Sequence, residues 1–174
     1  MSKQVRPILV LVAICALAGV LLGAVHQLTE PVITAAEERM AEETYAALVP
    51  EAASFEEVPC DVEGCVAALN ALDESGNRLG VIVVAQAKGY GGEVPLAVAF
   101  DESGTTLSVK TMPNEETPGL GSRISDDSYI GQYVGLPAES VGEESVDLIS
   151  GATISSKAAL TAFNCAVEAY EEVR

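Results

Sequence analysis

Three hydrophobic patterns follow one another along this chain, and each predicts a different kind of element. Over residues 8–25 no charged or strongly polar side chain interrupts the apolar run. That makes about 18 residues and about 27 Å of helix, which with Pro7 and the segment to Leu28 just spans a bilayer. Residues 31–48 change to a helical stripe, with Val32, Ala36 and Met40 four apart, and Pro50 ends it. After a turn at 60–65, four strand-like runs are expected at 66–72, 79–87, 94–100 and 106–112. Asp73-Glu74-Ser75-Gly76-Asn77 joins the first two and Asp101-Glu102-Ser103-Gly104-Thr105 the last two. Glycine late in such a polar cluster favours a hairpin. Residues 124–134 read as a short helix and 137–145 as surface loop. A closing helix is expected over 155–173, with Ala159, Phe163, Val167 and Tyr170 on one face and Thr153 or Ser155 as its cap.

Charge orients this plan. Lys3 and Arg6 precede the apolar run, whereas Glu30, Glu37 and Glu38 follow it, so the N-terminus is expected in the cytoplasm and the bulk outside. Ala16-Leu17-Ala18 imitates a signal-peptide cleavage site, but the apolar run continues past it. Val20 stands where a lipoprotein signal needs cysteine, so a retained anchor is expected. The chain carries −17, and residues 29–174 alone hold 26 acidic and 7 basic side chains, a balance of −19. Such a field repels nucleic acid and anionic lipid, leaving one helix as the membrane contact. The fold class is α+β: one transmembrane helix, then one extracytoplasmic domain with an antiparallel sheet and flanking helices. Its divisions are 1–28 for the cytoplasmic N-terminus and anchor, 29–50 for an amphipathic helix or stalk, and 51–174 for the domain.

His26 is the sole histidine, which excludes a histidine-based metal site or catalytic triad. Cys15 lies in the anchor and Cys165 in the last helix, both read as packing residues. Cys60 and Cys65 are close on the outer side, compatible with a local disulfide. Their spacing matches no zinc, iron–sulfur or haem framework. Lys88-Gly89-Tyr90-Gly91-Gly92-Glu93 is glycine-rich but lacks the spacing of a P-loop or a dinucleotide fingerprint.

The chemistry concentrates near the C-terminus, in Asp147-Leu148-Ile149-Ser150-Gly151-Ala152-Thr153. Small neighbours allow a bulky group to approach the backbone beside the Thr153 hydroxyl. The helix that follows offers free N–H groups and a positive dipole end, which suit a phosphate. This stretch resembles the flavinylation motif of FMN-binding domains, Asp-x-x-Ser/Thr-Gly-Ala-Thr/Ser. A second segment, Glu116-Thr117-Pro118-Gly119-Leu120-Gly121, strengthens the likeness. With the anchor and the order of segments, the chain resembles the G subunit of Rnf-type electron transport complexes. The C subunit of the Na⁺-pumping quinone reductase is a close relative sharing both motifs.

The resemblance implies an electron-transfer subunit of an ion-translocating, ferredoxin:NAD⁺-coupled oxidoreductase in a bacterial cell membrane, a redox subunit that is not catalytic alone. It implies FMN held to Thr153 by a phosphoester, installed from FAD by a Mg²⁺-dependent flavin transferase. Ser150, Gly151 and Ala152 would give that enzyme its grip, Asp147 would orient the segment or assist Mg²⁺ in the transferase complex, and Thr117, Gly119 and Leu120 would contact the ring. Other subunits of the complex are the implied partners, and coupling to ion movement must reside in them, because one helix without intramembrane charge forms no ion path. Many relatives carry a basic residue or histidine before the second motif, where Asn114 and Glu115 stand here, which predicts a lower flavin potential. The runner-up is another flavinylated extracytoplasmic protein, either a quinone-reductase C-like subunit or a free-standing shuttle. A cofactor-free, membrane-anchored binding module is the reading from a different class.

Overall fold

The computed structural model describes residues 5–174. Lys3 and the side chain of Arg6, on which the expected orientation rests, lie outside the described part. The chain divides into two compact units, residues 1–41 and 42–174.

The first unit is helical. Helix α1 (Val5–Leu48) runs without a break through Pro31, so the expected apolar run and stripe are one helix, whose residues from Glu42 on belong to the second unit. Pro31 supplies no amide proton to the helix interior. Thr34 bonds its hydroxyl back to the Glu30 carbonyl at 3.1 Å. The apolar side chains find no protein core: Leu22 is 72% exposed and Val32 69%. Among the described residues this is the one helix long and apolar enough to cross a membrane.

The second unit is built on a five-stranded antiparallel meander, β1 (Ser54–Val58), β2 (Cys65–Leu72), β3 (Arg78–Lys88), β4 (Glu93–Phe100) and β5 (Thr106–Thr111), in sequential order. The four strands expected from the sequence are there, shifted by a residue or so at their ends. β1 is additional: its Ser-Phe-Glu-Glu-Val is short, charged and largely exposed, features that suit an edge but give no alternation to detect. Both hairpins close by one mechanism. The Asp73 carboxylate accepts the N–H groups of Ser75 at 2.7 Å and Asn77 at 2.8 Å. Asp101 does the same for Ser103 and Thr105, both at 2.8 Å. Gly76 (φ +81) and Gly104 (φ +84) take the left-handed step that each turn requires.

β3 and β4 are buried on both faces, which explains their continuous apolar runs. On one face Val83, Leu96, Val98 and Phe100 pack against helix α3 (Thr153–Val173). All four residues of the expected helix face, Ala159, Phe163, Val167 and Tyr170, are buried there. Ring pairs tighten the layer: Phe100 meets Tyr170, and Tyr133 meets Phe163, each at 4.7 Å between centroids. On the other face Ile82, Val84, Ala97 and Ala99 meet Leu48 and Val49.

Residues 124–134 are not one helix. A 3-10 turn (Gly121–Ser125), the short helix α2 (Asp127–Ile130) and a second 3-10 turn (Gly131–Tyr133) replace it. The loop at 137–145 holds only one 3-10 turn, Glu143–Ser145. Cys60 and Cys65 are free thiols, both partly buried. Burial, and then Cys60 itself, push the Cys65 thiol far up. Cys165 is a half-buried free thiol beside Gly64.

The meander also fixes where the motifs meet. β4 begins where β5 ends, since Leu96 pairs with Thr111. The chain leaving β5 therefore passes the glycine loop between β3 and β4, at the same end of the sheet.

Candidate functional site

The segment leaving β5 is tied down before it reaches the cavity. Asn114 donates its side-chain amide to the Met112 carbonyl at 3.1 Å and accepts the Glu116 N–H at 3.2 Å. Glu116 then turns inward and is 5% exposed. Its Oε1 accepts the N–H groups of Tyr90 at 2.8 Å and Gly91 at 3.0 Å, and its Oε2 accepts the Ser155 hydroxyl at 2.5 Å. One carboxylate thus joins three segments: the glycine loop, the second motif and the first turn of α3. Burial pushes its acidity toward the neutral form. The donors from Ser155, Gly91 and Tyr90 overcome that and hold the carboxyl below its ordinary range.

Glycines surround this carboxylate because nothing larger fits. A Cβ on Gly89 or Gly121 would run into the Glu116 carboxylate, and one on Gly91 into the Glu115 carbonyl. The glycine loop is therefore packing material for Glu116.

Residues 117–120 form a β-turn, with the Leu120 N–H bonded to the Thr117 carbonyl at 3.1 Å. Pro118 sits at its second position and Gly119 (φ +75) at its third, as a type II turn requires. The Gly119 N–H is held by the Ser122 hydroxyl at 2.9 Å. No heavy atom lies within 4 Å of a Cβ placed on Gly119, so conformation alone demands glycine there.

The flavinylation-like motif ends in a similar step. Gly151 (φ +83) turns the chain, and a Cβ there would lie 3.3 Å from Leu120, so the two motifs touch. Ser156 fastens this turn from within, bonding the Ile149 N–H at 3.1 Å and the Ala152 carbonyl at 3.0 Å. The expected cap is corrected here. Ala152 occupies the N-cap position of α3 with no side-chain hydrogen bond, because the Ser155 hydroxyl is committed to Glu116 and Thr153 already lies in the helix. The first turn's N–H groups are thereby left to whatever enters from outside.

These segments enclose a cavity of about 560 Å³, large enough for a cofactor. Of the residues expected from sequence, Thr117, Leu120, Gly151, Ala152 and Thr153 line it. Ser150 and Gly119 lie in the same turns but outside the lining. Asp147 is exposed, its N–H held by Gln132 Oε1 at 2.6 Å, and it is not in the lining either. Sequence reasoning missed Tyr90, Glu116, Gly121, Ile154 and Ser155 as lining residues. The signal for Glu116 was its place at the head of the second motif. For Tyr90 it was the glycine loop around it.

FMN fits what these residues offer. The lining is mostly apolar, as a flavin ring needs, and the exposed Thr153 hydroxyl stands beside uncapped helix N–H groups where a phosphate would sit.

Comparison with known proteins agrees. Residues 89–168 match the family model described as FMN-binding domain. The G subunit of the proton-translocating ferredoxin:NAD(+) oxidoreductase complex of Clostridium ljungdahlii is 30% identical over 88% of this chain and 84% of its own length. The G subunit of the ion-translocating oxidoreductase complex of Methanosarcina acetivorans is 32% identical over 96% of this chain and 95% of its own. The fold resembles that of NqrC from Shewanella oneidensis, with a TM-score of 0.50 at 20% identity over 71% of this chain and 70% of that one. It also resembles the C subunit of the Na(+)-translocating NADH-quinone reductase of Parabacteroides distasonis, with a TM-score of 0.51 at 19% identity, covering 77% and 82%.

Proposed function

The chain belongs to the family of G subunits of ion-translocating oxidoreductase complexes, and from that premise we propose that it relays electrons through FMN bound covalently to Thr153 on the outer side of the membrane. It is a redox subunit of a ferredoxin:NAD⁺-coupled, Rnf-type complex, with the other subunits as its partners. FMN, when bound, supplies a ring that exchanges one or two electrons.

The observation that carries the covalent reading is the placement of Thr153. It is exposed at the first position of a 21-residue helix, after a turn of small residues and against the second motif. A flavin transferase would form the bond between its Oγ1 and the FMN phosphorus as the FAD pyrophosphate breaks. AMP then leaves and the hydroxyl gives up its proton. Nothing in the cavity lining activates Thr153, so the chain's part is presentation: an accessible hydroxyl, glycine and alanine before it, and N–H groups to receive phosphate oxygens. Ser150, Gly151 and Ala152 are where the transferase would grip, and Asp147, exposed three residues ahead, would orient the segment. Thr117 and Leu120 give the ring a polar and an apolar contact, while Gly119 shapes their turn. The outward placement is supported by Lys3 and Arg6 ahead of the apolar run, since basic residues stay on the cytoplasmic side. Membrane lipid meets the chain through α1 alone.

The test is a digest of the full-length protein made beside an active flavin transferase. The peptide containing Thr153 gains the mass of esterified FMN, and Thr153→Ala loses covalent flavin completely while keeping its fold. An unmodified Thr153 peptide from that host overturns the reading.

A further inference from the structure

The cavity lining contains one acidic side chain and no lysine, arginine or histidine. That acid is Glu116. Glu115, its neighbour in sequence, is exposed and outside the lining. The sequence alone directed attention to Glu115 and the missing basic residue before the motif. The fold puts the negative charge one residue later and inside the site.

We propose that the buried Glu116 carboxylate is the electrostatic floor of the flavin site: it positions the three segments that form the cavity, and its charge lowers the midpoint potential of the bound ring. The inference rests on the FMN reading above and deepens it. Three donors, one hydroxyl and two backbone N–H groups, satisfy the carboxylate without neutralising it. No cation in the lining offsets it. Two-electron reduction of the flavin with uptake of one proton adds a negative charge to the ring, and a fixed carboxylate beside the cavity makes that charge costlier. The oxidised ring is neutral and feels no such penalty. The protein therefore holds oxidised FMN more favourably than its reduced anion, and the potential falls. The same carboxylate fixes the geometry, because the Tyr90 loop and the first turn of α3 are joined through it.

Charge and shape separate in two variants. Glu116→Gln keeps an acceptor for the Tyr90 and Gly91 N–H groups, and the Ser155 hydroxyl can turn to accept from the new amide. Its shape is retained and its charge is gone. Glu116→Asp keeps the charge and shortens the reach.

The experiment is a dithionite titration of the full-length, flavinylated protein in detergent, monitored by visible absorption, for wild type, Glu116→Gln, Glu116→Asp and Glu115→Gln. One unit charge acting through protein and partial solvent predicts about a tenfold gain in relative affinity for the reduced ring in Glu116→Gln, an upward shift of about 30 mV for a two-electron couple. Glu115→Gln shifts less than Glu116→Gln, and Glu116→Asp stays near wild type. An unchanged potential in Glu116→Gln overturns the inference, as does an equal rise in Glu116→Asp, which would show that shape and not charge sets the potential. If Glu116→Gln does not fold, wild type titrated at successively lower pH decides: its potential climbs more steeply than the flavin's own proton uptake requires as the Glu116 carboxylate is neutralised, and a climb without that excess overturns the inference. A wild-type protein without covalent flavin refutes the FMN reading instead, so the two failures are distinguishable.

Discussion

Glu116 and Thr153 face the same cavity under opposite conditions. Glu116 is 5% exposed and holds three donors from two other segments. Thr153 is exposed, caps nothing, and stands where its helix leaves N–H groups free. One wall is built to stay in place and the other to be reached. If a transferase completes the site as proposed, both are needed: a rigid seat for the ring and a hydroxyl that an enzyme can approach. The difference also separates stability from function, since buried groups with several partners carry folding energy and exposed ones seldom do.

The largest effect should fall on the exposed side and leave folding untouched. Thr153→Ala, expected to lose all covalent flavin if the proposed linkage is right, changes unfolding free energy by less than about 0.5 kcal/mol in denaturant titrations. Gly121→Ala attacks the held wall. Its Cβ meets the Glu116 carboxylate and lies 2.7 Å from the Ser155 hydroxyl, neither free to retreat. The cost is about 2 kcal/mol, read as a lower denaturation midpoint. Should Gly121→Ala prove neutral while Thr153→Ala unfolds the domain, the contrast between the walls is wrong.

Ser155→Ala is milder. It removes one donor from a buried carboxylate and should cost about 1.5 kcal/mol by the same titration. The effect depends on pH, with a definite sign. The folded-state acidity of Glu116 is shifted below the ordinary value of 4.5, so the ionised carboxylate contributes in full above that value. The contribution drains away as pH falls through the lower folded-state value. Thermal melts should therefore show the gap between wild type and Glu116→Gln narrowing on acidification and constant near neutrality. The smallest effect belongs to Gly119→Ala. The added methyl meets nothing but must adopt φ +75, at about 1 kcal/mol, with Leu120 moved from its place beside Gly151.

Much of this was legible in the order of residues. The apolar run at 8–25, the four strands and the face of the last helix each follow from a repeat of like residues, which chemistry close along the chain dictates. Edge strand β1 had no such repeat, and residues 124–134 read as one helix although the segment is broken, because its buried Ile124, Tyr129 and Tyr133 are set by the layer they fill. The site divides in the same way. Thr153, Gly151 and Leu120 were readable from motifs. Tyr90 sat in a visible glycine loop and Ser155 at the start of the last helix, but what brings both into the site is a shared partner, Glu116, 26 and 39 positions away.

The sequence by itself determined the long apolar helix, four of the five strands, the last helix and the motif that holds Thr153, because helical and strand periodicity, turn glycines and a short motif are all local. Only the tertiary structure decided which carboxylate lies inside the cavity. Glu115 and Glu116 are chemically alike and adjacent, and alternation along an irregular loop does not say which of them turns inward. That choice is made where the hairpin loop, the turn and the helix start converge, and a buried charge is tolerated only where donors from all of them meet it.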